Sequence, residues 1–210
     1  MTFRALLIDW AGTITVSLRD VVLQAAASLE LSPEQMGQAL GGLSAYMGTD
    51  DSLFHQAERG EIHDDELRAW LDSLAPGAGR LVHPDHPGIL QAPDRPEVLA
   101  LMDEARHAGI VVVVATNNFA SARPMLKSRY LDTGRADAIV NSADIGVRKP
   151  STEFYQRCME VANTDVSHTL FCDDMAPNII AAEAFGLRSV SFGDSIDQAL
   201  EQTRTLLGLA

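Results

Sequence analysis

Short apolar runs alternate along the chain with stretches whose apolar residues recur at helical spacing. This is the pattern of a parallel sheet covered by helices. The runs Ala5–Asp9, Ile110–Thr116, Ala138–Asn141, Thr169–Cys172 and Ser189–Phe192 are the predicted strands. The unbroken Ile110-Val111-Val112-Val113-Val114 suits a strand buried on both faces. In Pro96–His107, residues Val98, Leu101, Met102 and Ala105 share one helix face, and Gly109 follows as a stop. Ser151 is expected to cap a helix carrying Phe154, Cys158 and Val161, and Ala176–Phe185 is predicted to be a helix closed by Gly186.

No buried strand is predicted from about Val16 to about Gln91. That interval instead carries helical patterns over Val21–Leu29, Ser32–Leu43, Ser52–Arg59 and His63–Leu74. Ser32-Pro33-Glu34-Gln35 reads as a helix start with a capping box. The crossover exceeds an ordinary strand–helix–strand connection. It predicts an all-helical insertion over 16–91, returned by the Pro/Gly-rich stretch Pro76–Pro93, on a core of 1–15 and 92–210.

The chain has 210 residues, enough for a sizeable core, and a formal net charge of −13. That balance argues against a nucleic-acid or anionic-membrane partner, which would need a basic face. Cys158 and Cys172 both fall in apolar-patterned segments and are expected to be buried free thiols. No basic region followed by a long apolar run opens the chain, and the strongest apolar run, Gly109 to Ala115, is too short to span a bilayer. A cytoplasmic protein is expected.

Candidate chemistry gathers at the predicted strand ends. Leu6-Leu7-Ile8-Asp9 delivers a carboxylate at the C-terminal end of a buried strand, where open α/β sheets bind ligands. Gly12 allows a tight turn and close approach to an anion. Thr116-Asn117-Asn118, Arg148-Lys149-Pro150 and Cys172-Asp173-Asp174 supply a hydroxyl, an amine and paired carboxylates. His83-Pro84-Asp85-His86 has metal-ligand residue types, but its proline-rich setting reads as a solvated loop.

With Asp9-Trp10-Ala11-Gly12-Thr13, Thr116-Asn117, Lys149 and Asp173-Asp174 with Asn178 in that order, the chain resembles the haloacid dehalogenase (HAD) superfamily. The resemblance implies an α/β Rossmannoid core, a parallel sheet flanked by helices, with an inserted helical cap. It implies a Mg²⁺-dependent, phosphatase-like hydrolase of a small phosphorylated metabolite, working through an aspartyl-phosphate on Asp9. Thr116 and Lys149 would hold the phosphoryl group, and Gly12, Thr13, Asn117 and Asn118 would line the substrate site. Asp9, the Ala11 carbonyl, and Asp173 or Asp174 would bind the metal. Asn178 would tether Asp174 or its loop, or cap or solvate the start of the following helix, and Arg148 would reach substrate or lie in solvent.

Ala11 departs from the family pattern, in which phosphatases carry a second Asp two residues after the nucleophile to protonate the leaving oxygen. General acid–base help of that kind is worth about 10²–10⁴-fold. Its loss leaves three readings open. The leaving group is a good one, such as an acyl phosphate, or another residue donates the proton, with Asp50, Asp51 and His55 as candidates by position. The Asp-Trp-Ala-Gly-Thr string is similar to the nucleophile loop of phosphonoacetaldehyde hydrolases, which cleave a carbon–phosphorus bond using a cap lysine. Here no lysine lies between Val16 and Lys127, and arginine stays protonated and cannot replace it. The third reading is a weakened relative that binds a ligand or partner without turnover.

Overall fold

The computed structural model describes residues 2–28, 32–35, 37–38, 52–86 and 88–209. Five parallel strands form one sheet in the order β3-β2-β1-β4-β5: β1 Ala5–Ile8, β2 Val111–Thr116, β3 Ala138–Asn141, β4 Thr169–Asp173 and β5 Arg188–Ser191. Each predicted strand is present, its ends moved by at most one residue. In register, Ala5 faces Val111 on one side and Thr169 on the other, and Ile8 faces Val114 and Cys172. The ends of β1, β2 and β4 therefore lie side by side, and the loops that follow them share one rim.

Alternate residues of the strands feed two cores. Leu6, Ile8, Val112, Val114, Leu170 and Cys172 pack with Val98, Leu101, Met102, Leu200 and Leu207 on one face. Leu7, Val113, Ala115 and Phe171 pack with Phe154, Tyr155, Cys158 and Ala182 on the other. Both cysteines are buried free thiols, pushed up to about 12 by burial. The covering helices are α4 Pro96–His107, α7 Thr152–Ala162, α8 Ala176–Phe185 and α9 Ile196–Leu207. Gly186 closes α8 with φ 105°, a left-handed turn that glycine adopts without strain. Ser151 holds the capping position of α7, but its hydroxyl makes no capping bond; the Phe154 amide donates to the Ser151 carbonyl instead.

Between β1 and α4 the chain forms the helices α1 Leu18–Ser28, α2 Leu53–Glu58 and α3 Asp64–Leu74. The Ser32–Gln35 capping box forms, with the Ser32 amide donating to Gln35 Oε1 and the Gln35 amide to Ser32 Oγ. The remainder of the predicted Ser32–Leu43 helix lies largely outside the described residues, as do Asp50 and Asp51. The stretch Pro76–Pro93 is more than a linker. It contains helical turns at Ala78–Val82 and Ile89–Gln91 and buries Leu81, Val82, Ile89 and Leu90 in the larger core. Prolines and glycines there mark the turns, while the apolar residues between them supply the packing. His83 and His86 stack edge to face within it, and the Asp85 amide donates to His83 Nδ1. No helix among the described residues is long and apolar enough to cross a membrane.

The chain leaves the sheet and returns to it side by side. Thr15 pairs antiparallel with Asp94, the Val16 amide donates to the Pro93 carbonyl at 3.0 Å, and the Arg95 amide to Ile14 at 2.8 Å. This crossing sits directly after the Asp9 loop.

Between β2 and β3 the chain is helical over α5 Arg123–Leu126 and continues in a wider turn through Lys127–Leu131. After β3, a single turn, α6 Ser142–Ile145, leads to the lysine segment.

Candidate active site

The Asp9 amide donates to the Cys172 carbonyl, continuing the β1–β4 ladder by one residue and fixing where the Asp9 side chain emerges. The chain then turns sharply: the Thr15 amide returns to the Trp10 carbonyl and the Gly12 amide donates to Thr15 Oγ1. Gly12 has φ 91°, and a Cβ there would collide with the Asp174 carboxylate. Glycine is thus required twice over, by its backbone angle and by the acid packed against it.

Lys149 is the hub. Its ammonium donates to Asp9 Oδ1 at 2.5 Å, to Asp173 Oδ2 at 2.7 Å and to the Ala115 carbonyl at 2.8 Å, using all three protons. The side chain is only 1% exposed, and its Nζ lies 6.0 Å from the Phe154 ring centroid and 5.7 Å from that of Phe171. Burial alone would lower its pKa, but Asp173 and Asp9 outweigh burial, and the ammonium is held charged.

Asn117 positions this lysine rather than presenting its side chain to a substrate. Its Oδ1 accepts from the Lys149 amide and its Nδ2 donates to the Lys149 carbonyl, so both halves of the amide are spent on one residue. Asn118 is also turned inward: its Oδ1 accepts from the Phe119 amide, while Ser142 Oγ accepts from its backbone. A short polar side chain following a strand satisfies the loop's own backbone first.

The acidic pair is unequal. Asp173 is fully buried and accepts from Lys149, from Asn178 Nδ2 on both oxygens and from the Met175 amide, which also begins α8. Asn178 therefore tethers Asp173, not Asp174. Asp174 has a buried Oδ1 without a partner among the described residues, and its pKa is raised to about 6 by burial and by Asp173, against Lys149. Burial, with Asp173 and Asp174, also pushes Asp9 well above the usual carboxylate range, against the pull of Lys149.

One oxygen from each of Asp9, Asp173 and Asp174 lies within 4.8 Å of the others. Three carboxylates thus face one ammonium in a largely buried site, an imbalance that calls for further positive charge. The all-oxygen donor set and the unpartnered Asp174 Oδ1 fit a hard divalent cation. Thr13 Oγ1 and Thr116 Oγ1 are likewise buried without partners among the described residues, as hydroxyls awaiting an acceptor would be.

Arg148 neither reaches into the site nor lies in solvent. Its Nε donates to Glu58 Oε2 at 2.7 Å, joining the lysine segment to α2, with side-chain exposures of 15% and 5%. Asp64 Oδ2 accepts from the Ser121 amide and Phe54 packs edge to face on Phe119, so the same seam is held at three points. None of these partners carries a motif, and only the folded chain brings them together.

Residues 3–186 match the family model of haloacid dehalogenase-like hydrolases. The chain is 30% identical to a sesquiterpene phosphatase of Aspergillus oryzae, covering 76% of this chain and 81% of that protein. It is 28% identical to a phosphatase of Mycobacterium tuberculosis, over 90% of this chain and 87% of the relative. Among solved structures, a HAD family enzyme of Bacteroides thetaiotaomicron superposes with a TM-score of 0.69 at 18% identity, covering 94% and 98% of the two chains. The same enzyme in complex with magnesium and inorganic phosphate gives a TM-score of 0.66 at 19% identity, covering 90% and 93%. The strand order, the converging Asp9, Lys149 and acidic pair, and the family match over most of the sequence agree: this chain belongs to the haloacid dehalogenase-like hydrolases.

Proposed function

We propose that the protein is a Mg²⁺-dependent phosphatase-like hydrolase of a small phosphorylated metabolite, with Asp9 as the nucleophile. The observation that carries this reading is Lys149 Nζ bridging Asp9 and Asp173 while Asp174 Oδ1, beside them, has no partner among the described residues. An Asp9 oxygen attacks phosphorus, and the bond to the leaving oxygen breaks with its electron pair. Water then attacks the aspartyl-phosphate, returning Asp9 and releasing phosphate. Lys149 opposes the upward push of burial and of two other carboxylates on Asp9, and offsets the charge of an arriving phosphoryl group. The Thr116 and Thr13 hydroxyls, buried without partners among the described residues, would donate to phosphoryl oxygens.

Asp9, the Ala11 carbonyl and Asp174 would hold the Mg²⁺ directly, because both oxygens of Asp173 are already engaged. When bound, the ion neutralises carboxylate and phosphoryl charge in a site whose own balance is negative. The magnesium and phosphate complex of the structural neighbour supports this assignment. Residues 16–91 act as the cap on a core of 1–15 and 92–210, with the Thr15–Asp94 crossing as its joint.

With alanine at position 11, the best substrates have leaving groups that need no proton, acyl phosphates being one class. Where a proton is needed, His55 and the acids at 50 and 51 are the donors proposed from the cap. The carbon–phosphorus alternative requires a free amine. The chain's two lysines are Lys149, fully engaged, and Lys127, paired with Asp132 on the surface. The reading further places the protein in the cytoplasm, with no nucleic-acid or membrane partner.

Acetyl phosphate hydrolysis with and without Mg²⁺ tests this function. Turnover should require Mg²⁺ and fall by about 10³-fold or more in Asp9→Asn. Ala11→Asp should raise activity on alkyl phosphates by about 10²-fold, the lower range of general acid help. No turnover in the wild type, with phosphate-ligand affinity retained in Asp9→Asn, would instead identify a non-hydrolytic binding protein.

A further inference from the structure

Trp10 follows the nucleophile and is fully buried. Its indole Nε1 donates to Tyr130 Oη at 2.8 Å, and the Tyr130 hydroxyl donates to Asp94 Oδ1 at 2.6 Å. The direction of this relay is fixed, because an indole N–H only donates and a carboxylate only accepts. Asp94 is steadied by Arg129 at 3.5 Å, whose guanidinium also donates to the Ala92 carbonyl at 2.9 Å. The backbone of Asp94 pairs with Thr15, and the Thr15 amide returns to the Trp10 carbonyl. The circuit is closed: Trp10, Tyr130, Asp94, Thr15 and back to Trp10. It encloses the joint where residues 16–91 leave and rejoin the core.

From this circuit we infer that Tyr130 and Asp94 are positioning residues for Asp9, transmitting the placement of the crossing ribbon to the nucleophile loop through the Trp10 indole. The inference rests on Asp9 being the nucleophile. The sheet holds the Asp9 amide and Lys149 holds its carboxylate, but neither restrains the chain that follows. The indole anchor supplies that restraint from a part of the molecule that touches no substrate. A misplacement of about 1 Å at a reacting group costs up to about 10²-fold in rate.

The test compares Tyr130→Phe, Asp94→Ala and Asp94→Asn in the full chain. It measures acetyl phosphate kinetics, Mg²⁺ affinity by calorimetry, thermal melting, and the indole N–H resonance of Trp10. Tyr130→Phe and Asp94→Ala should lower kcat about 10-fold with KM changed less than about 2-fold. Both should also weaken Mg²⁺ binding several-fold. Asp94→Asn keeps an acceptor for Tyr130 and should stay near wild type. The indole resonance should move upfield in Tyr130→Phe, verifying that its bond is lost. Folded Tyr130→Phe and Asp94→Ala proteins that melt earlier but keep wild-type kcat and Mg²⁺ affinity would overturn the inference. If the wild type binds Mg²⁺ but does not turn over, the catalytic reading fails, and positioning is judged on Mg²⁺ affinity alone. A wild type that does neither overturns both.

Discussion

Two buried ion-pair regions lie either side of the lysine segment, and they are built differently. On the site floor, Lys149 meets Asp9 and Asp173, each delivered by the end of a central strand or the residue just after it. At the seam, the neighbouring Arg148 meets Glu58 on a short helix from the interval between β1 and β2. The floor gathers three carboxylates around the Lys149 ammonium, whereas at the seam a guanidinium meets the Glu58 carboxylate. The floor is therefore arranged for chemistry at a cost in electrostatic stability, and the seam is arranged to hold two parts of the chain together.

The largest break in this comparison is Lys149→Met. It removes the ammonium that bridges Asp9 and Asp173 and leaves buried carboxylates uncompensated, so it should cost about 3–5 kcal/mol in urea unfolding and abolish turnover. Wild-type stability in that variant would show that the floor carboxylates are already neutral. Next in size is the response to Mg²⁺. At about 100 times its dissociation constant the ion should stabilise the wild type by about 2.7 kcal/mol, read as a rise in melting temperature. Asp174→Asn should lose most of that rise, because the carboxylate with an open oxygen is the one replaced. An unchanged rise would move the direct ligand to Asp173. The smallest effect belongs to the seam. Glu58→Gln leaves Arg148 with a neutral partner and should cost about 1–3 kcal/mol while keeping kcat on acetyl phosphate within about 3-fold. A loss of activity as deep as that of Lys149→Met would erase the distinction between the two regions.

What was legible in the sequence follows the same division. The strands could be read to within a residue because buried parallel strands are continuous apolar runs. The convergence of Asp9, Thr116 and Asp173 is legible because each ends a strand or directly follows one, while Lys149 comes from the loop after α6. What could not be read were partners chosen by three-dimensional proximity alone. Asn117 lies beside Thr116 in sequence, but its amide serves the backbone of Lys149, far along the chain. Asn178 falls one helical turn after the acidic pair, and spacing alone could not decide which acid it tethers; the structure gives it to Asp173. Arg148–Glu58 and Trp10–Tyr130–Asp94 link residues from separate elements with no shared motif. The Pro76–Pro93 stretch misled because turn residues dominate its composition, while Leu81, Val82, Ile89 and Leu90 fill the core between them.

The central claim is that Asp9 becomes covalently phosphorylated, and it can be trapped. Borohydride reduces an acyl phosphate to an alcohol, so quenching the enzyme during acetyl phosphate turnover with Mg²⁺ and sequencing its peptides by mass spectrometry reads the modified residue. The account predicts homoserine in place of Asp9, and unmodified Asp173 and Asp174. Turnover that leaves Asp9 unreduced, or places the modification on another carboxylate, would contradict it.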